Sequence, residues 1–320
     1  MPGREICPAF FHKKAAPLDK KDSSAKMKKN HLERKIAMIH SDLHIHSEFS
    51  YDAVLPLETI LSEAEKRGYR QVGITDHLNL NNHKFIGCLS ESAKHVLEAK
   101  KEHPILLLGV ELTPIEKPFF DFYTKHPHLE GYSPAGYTAP TSGVPIPYPL
   151  EMAMTKEELM SYGVQYAVAA AHGYIDNPNP DVRDIRECVK AWQRMQLFLA
   201  CDERTTIVGH PYYHGLHLWY DDFSVVPQSM HEEFAAAVKE NGKYVEMNVD
   251  MILTADASQR FRHQYAEYMR FLFESGIRIT FGSDSHNTYP DKREQLYPYL
   301  EAVGFRDGDF SELDPADLWQ

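Results

Sequence analysis

Two imidazoles, His44 and His46, stand two residues apart in the stretch HSDLHIHSEFSYDA (residues 40–53), with Asp52 close behind. Along a strand, side chains at i and i+2 point to the same side, so H-x-H and D-x-H each aim two ligand atoms at one centre. The D-x-H form stands in FGSDSH as Asp284 and His286. Further ligand-type residues stand in GITDH (Asp76, His77), LLGVE (Glu111), AVAAAHG (His172), TIVGHP (His210) and YVEMN (Glu246, Asn248). Imidazole and carboxylate without thiolate suit zinc, manganese or iron. Taken singly, a histidine at a strand end is more often packed or hydrogen-bonded than ligating, Asp52 suits a turn and Asp284 a helix cap. Taken together they need another explanation. Crowding so many titratable groups costs free energy unless they have partners, and divalent cations remove that cost.

Such a set needs a scaffold that brings strand ends together. Short apolar runs at 36–43, 71–75, 105–110, 166–170, 205–208, 243–247 and 278–282 predict seven strands. Amphipathic stretches at 56–68, 90–102, 156–162, 181–203, 228–241, 258–275 and 291–303 predict helices between or after them; the first opens on Pro56 and closes on Gly68. This alternation predicts parallel strands with helical crossovers, in a barrel or a doubly wound sheet, where ligands bind at the C-terminal strand ends. Each predicted strand ends in an imidazole or a carboxylate. Long connections at 113–154 and 211–227 read as functional loops. In the second, Tyr212, Tyr213, His214, His217 and Trp219 are candidates to meet substrate.

Composition narrows the function. Of 320 residues, 43% are hydrophobic and 25% charged, ordinary for a globular protein, and no apolar run approaches a membrane span. No apolar secretory segment opens the chain, and four cysteines without CxxC spacing predict reduced thiols and a cytoplasmic location. Residues 1–36 hold ten Lys or Arg against four Asp or Glu, which predicts a disordered basic tail and leaves −18 on residues 37–320. A body this acidic does not suit long polyanions such as nucleic acid.

The motifs DLHIHSEFSYD, GITDH, GVE, AAAHG, VGHP and GSDSH, in this order over about residues 38–290, resemble those of the PHP (polymerase and histidinol phosphatase) family. The resemblance implies a distorted (β/α)7 barrel at 37–305, a C-terminal tail at 306–320, and two or three divalent metal ions at the C-terminal strand ends. By position, His44, His46, Glu111 and Asp284 resemble the ligands of a first metal. On the same resemblance Glu111 would bridge to a second held by His172 and His210, and Asp52, His77 and His286 would hold a third. Some members carry histidine at the Asp52 position. Glu111, Asp284 and His286 are expected to be catalytic. Asp42, Asp76 and Glu246 are expected to orient ligand imidazoles, which usually donate their other N–H to an acceptor. No counterpart is evident for the basic residues that hold phosphate in histidinol phosphatases.

The expected function is metal-dependent hydrolysis of a small phosphomonoester, by hydroxide that the cations generate near neutral pH. Two other enzyme readings are an amidohydrolase, whose bridging ligand is often a carbamylated lysine where this chain has Glu111, and a nucleic-acid phosphodiesterase. A non-catalytic metal-binding module is the remaining alternative.

Overall fold

The structure, a computed structural model, describes residues 39–78, 85–125, 149–172, 185–212, 222–253 and 257–320. The basic tail expected at 1–36 therefore lies outside the described residues, as do Tyr213, His214, His217 and Trp219.

Each of the seven apolar runs contributes to a strand of one sheet. In chain order, the first half supplies β1 (Ser41–Ile45), β2 (Gln71–Ile74), a short β3 (His77–Leu78) and β4 (Leu106–Leu112). A two-stranded antiparallel pair follows, β5 (Ile115–Glu116) with β6 (Leu150–Glu151). The second half supplies β7 (Tyr166–Ala169), β8 (Ile207–Val208), β9 (Tyr244–Asn248) and β10 (Arg278–Gly282). The main sheet runs β1-β2-β4-β7-β8-β9-β10 with every pairing parallel. The path nearly closes on itself. Beyond β10, Asp284 N donates to His44 O at 2.8 Å and His46 N to Ser285 O at 3.0 Å. Asp42 adds to this seam, its carboxylate accepting from Ser283 N at 2.9 Å. The result is the distorted barrel that the motifs implied.

The helices cover the outside: α1 (Leu57–Arg67), α2 (Phe85–Ala99), α3 (Lys117–Lys125), α4 (Lys156–Ser161), α5 (Ile185–Cys201), α6 (Gln228–Glu240), α7 (Val249–Leu253), α8 (Gln259–Glu274) and α9 (Arg293–Ala302). Their limits follow local chemistry. Helix α1 stops at Gly68, whose φ of 67° fits the left-handed cap, and α4 starts with a Thr155–Glu158 capping box. Within α1, Leu57, Ile60 and Ala64 are buried at helical spacing. No described helix is long and apolar enough to cross a membrane.

Two departures from the sequence reading matter for the site. Among the described residues the first strand runs 41–45, two residues past the expected end at 43, so His44 sits inside it and His46 just after it. The pairing register with β2 shifts between Asp42 and Ile45. The stretch 306–320, expected as a C-terminal tail, packs on the barrel. Phe310 bridges Ile279, the Gln71 side chain makes two hydrogen bonds with the Leu313 backbone, and Trp319 N donates to Gln165 O. All three anchor points lie at or near strand starts. The segment packs across the floor of the barrel and sets Leu313 among Leu43, Leu107, Tyr166, Val168, Ile207 and Tyr244. Tyr166 fills that floor so completely that a Cβ on Gly73 would lie 1.7 Å from its hydroxyl oxygen.

Candidate metal centre

At the opposite end of the barrel, Glu111 closes β4 and is fully buried. Its two oxygens serve different partners. Oε1 lies 3.1 Å from both His172 Nε2 and His210 Nε2. Oε2 lies 3.3 Å from both His44 Nε2 and His46 Nε2, and 2.8 Å from His77 Nδ1. The His44 and His46 nitrogens are 3.2 Å apart, and Asp284 Oδ1 is 3.1 Å from His46 Nε2. Towards the mouth, Asp52 Oδ2 is 3.2 Å from His77 Nε2 and 3.6 Å from His286 Nε2. All nine candidate ligands thus converge, in four groups whose ligand atoms lie within 4.8 Å of one another.

Several side chains hold the imidazoles in place. Glu246 on β9 accepts the Nδ1–H of His44 at 2.7 Å and, through its other oxygen, the His210 amide at 2.7 Å. The Asp284 carbonyl accepts the Nδ1–H of His286 at 2.9 Å. In both rings Nε2 then keeps its lone pair for the pit. Gly282 makes room for this arrangement, because a Cβ there would lie 1.8 Å from Glu246 Oε1. Asp284 itself sits at φ 52°, a left-handed conformation that aspartate tolerates better than most residues. Asn248 steadies its carboxylate from 3.1 Å.

The electrostatics are reciprocal. Burial alone would lift the Glu111 pKa, but the imidazoles of His172, His77 and His44 hold it well below the usual carboxylate range. Burial penalises a charged His44, yet Glu246, Asp284 and Glu111 raise its pKa well above the ordinary value. Against the same penalty, Glu111 and Asp52 push His77 up to about 10. His172 moves the other way, lowered by burial.

The donor set fits divalent cations. Donor atoms around a tetrahedral ion with bonds of about 2.0–2.1 Å stand roughly 3.3 Å apart, which is the spacing of the His44, His46 and Glu111 atoms. His77 Nδ1 and Glu111 Oε2, though close, have no hydrogen-bond partner among the described residues, and neither does His46 Nδ1. A cation supplies the positive charge the carboxylates draw on while leaving the imidazoles neutral.

A family model of the PHP domain matches residues 42–250. The chain belongs to the PHP domain family. The histidinol phosphate phosphatase of Lactococcus lactis, crystallised with zinc, L-histidinol and phosphate, superposes with a TM-score of 0.54. It is 15% identical, over 86% of this chain and 99% of that one. A Listeria monocytogenes protein assigned as a histidinol phosphatase also gives 0.54, at 14% identity over 82% and 97% of the two chains. At these identities the likeness is one of fold. A protein of Acetivibrio thermocellus described as a probable phosphatase is 36% identical over 73 residues, which are 22% of this chain and 29% of that protein. The match thus spans less than a third of that relative.

Within this PHP domain, three expectations need correcting. Asp42 touches no imidazole ring. It accepts from Ser283 N and from the Tyr289 hydroxyl, and burial pushes its pKa up to about 6. Asp76 also binds no ring; it accepts from Ser47 N at 2.6 Å, Ser47 Oγ at 2.8 Å and Ser92 Oγ at 2.6 Å. A carboxylate beside a buried turn is captured by the nearest backbone and hydroxyl donors. Tyr212, expected on a substrate loop, is 3% exposed. It packs with Phe223, His231 and Tyr268, and its hydroxyl donates to Gln193 Oε1 at 3.2 Å.

Thr113 was not foreseen: its Oγ1 lies 2.8 Å from His172 Nδ1. The signal was present, since Thr113 follows Glu111 by two residues, the spacing that singled out H-x-H.

Proposed function

We propose that the protein is a metal-dependent phosphomonoesterase acting on a small phosphorylated compound. The observation that carries this reading is the convergence of nine imidazole and carboxylate side chains around Glu111. When bound, two or three divalent ions, zinc, manganese or iron, supply charge against the phosphoryl oxygens and lower the pKa of water towards neutrality. Glu111, one oxygen facing His172 and His210 and the other facing His44 and His46, would be the ligand the ions share. Glu246, Thr113 and the Asp284 carbonyl keep the rings of His44, His172 and His286 turned for ligation. Hydrolysis adds the oxygen of water to phosphorus, breaks the bridging P–O bond and leaves a proton for the departing oxygen. Asp52 and His286, with side chains 32% and 27% exposed, are the most exposed of the nine groups and could exchange that proton with solvent.

The charge of the body favours a small substrate. Residues 37–320 carry −18, which repels a polyphosphate backbone, whereas a single phosphate meets the cations directly. A phosphatase of the same fold holding zinc and phosphate supports the reading. The test is phosphate release from monoesters, set against diesters, single-stranded oligonucleotides and amides, before and after chelation. Chelator-sensitive release from monoesters alone is expected. Amide cleavage, salt-sensitive oligonucleotide cleavage or stoichiometric metal without any turnover would each select a different reading.

A further inference from the structure

Among the described residues, two large apolar side chains are exposed, Tyr51 at 39% and Val54 at 67%. Both lie on the connection between β1 and α1, on either side of Asp52. The Tyr51 ring lies 5.4 Å from the ring of His77, tilted by 36°. His77 in turn lies 2.8 Å from Glu111, so this tyrosine stands within one ring of the ligand set.

The connection is held firmly. Glu48 N donates to Leu55 O and closes the loop at its base, and Val54 N donates to His286 O at 3.1 Å. Ser50 Oγ donates to Asp52 Oδ1 at 2.8 Å, and Asp76 anchors Ser47 through both its backbone and its hydroxyl. Tyr51 is therefore presented at the rim by the same bonds that place Asp52. Exposing apolar surface here costs free energy that burial against a ligand recovers. Two such side chains are too few for a protein partner, which needs several hundred Å². They suit the non-phosphate half of a small molecule.

Building on the phosphomonoesterase reading, we infer that Tyr51 is a specificity-determining platform for the leaving group. The enzyme prefers monoesters whose alcohol carries a planar aromatic group within about one bond of the phosphate oxygen. Its ring stacks on Tyr51 while the phosphate sits in the pit.

Phosphonates test this without the complication of leaving-group reactivity. Binding of benzylphosphonate and methylphosphonate to metal-loaded protein is measured by calorimetry for the wild type, Tyr51→Ala and Tyr51→Phe, with bound metal quantified in each. The wild type should favour benzylphosphonate by about two- to tenfold, the usual range for an aromatic pair. Tyr51→Ala should bring the ratio close to one at unchanged metal content, and Tyr51→Phe should restore it. Equal binding of the two compounds by the wild type overturns the inference, as does a preference that survives Tyr51→Ala. If neither phosphonate binds and no monoester is hydrolysed, the phosphomonoesterase reading fails, and the platform with it.

Discussion

The two ends of the barrel are built from the same strands and have opposite chemistry. At the floor, Leu43, Leu107, Tyr166, Val168, Ile207 and Tyr244 surround Leu313 in a small apolar core. At the mouth, His44, Glu111, His210 and Glu246, from or just beyond those same strands, are buried and polar. Strand β9 runs from Tyr244 in the floor to Glu246 in the pit within three residues. Stability and chemistry are therefore separated along each strand rather than between strands, as is general for barrels of this kind.

The largest effect that tests this division comes from its polar end. Glu111→Gln should lower phosphomonoester turnover by on the order of a thousandfold or more and reduce bound metal, since one carboxylate serves the whole set. A variant with full metal and normal turnover would show that the pit has been misread.

At the floor, Leu313→Ala should cost roughly 2–5 kcal/mol of stability through the cavity it leaves. Metal stoichiometry and turnover of the folded protein should remain as in the wild type. Denaturant titration read beside metal analysis checks this, and loss of metal without loss of stability would erase the distinction between the two ends.

A smaller effect is expected where support and chemistry meet. Glu246→Gln keeps the shape of the side chain but weakens its hold on the Nδ1–H of His44, and should reduce metal affinity roughly ten- to a hundredfold. Competition with a chromophoric chelator measures it. An unchanged affinity would reduce Glu246 to a packing role.

The smallest concerns the outer wall, which belongs to neither end. Burial pushes the pKa of His231 down to about 4, so the folded protein resists the proton that the unfolded chain takes up near pH 6.5. Its contribution to stability is complete above pH 6.5 and is lost as pH falls towards 4. His231→Phe should flatten the pH dependence of the denaturation midpoint in that window. A dependence as steep as in the wild type would assign the effect to other groups.

Much of this was legible in the sequence, because helices and buried strands follow simple periods. The seven strands and their helices lie close to where the apolar runs place them. The exception is instructive. In β1 the apolar run set the expected end at Leu43, yet the strand continues through His44 to Ile45, with Asp42 completing the seam and His44 facing the pit. The short β5–β6 pair inside the long 113–154 connection carried no period to detect. Among the site residues, spacing found the groups that converge but not who supports whom. Glu246 reaches a ring whereas Asp42 and Asp76 reach backbone and hydroxyl donors, a choice made by tertiary neighbours that no local pattern records.

The seam has a consequence in time. Asp42 and Ser283, which meet across it, are 241 positions apart, and the flanking residues His44, His46, Asp284 and His286 are all part of the pit. During synthesis at about 5–20 residues per second, roughly ten to fifty seconds separate the first pair of imidazoles from the last. To the end of that interval the nascent chain carries an H-x-H pair whose partner Asp284 has yet to be made. Completing the barrel and completing the metal centre are then the same late event.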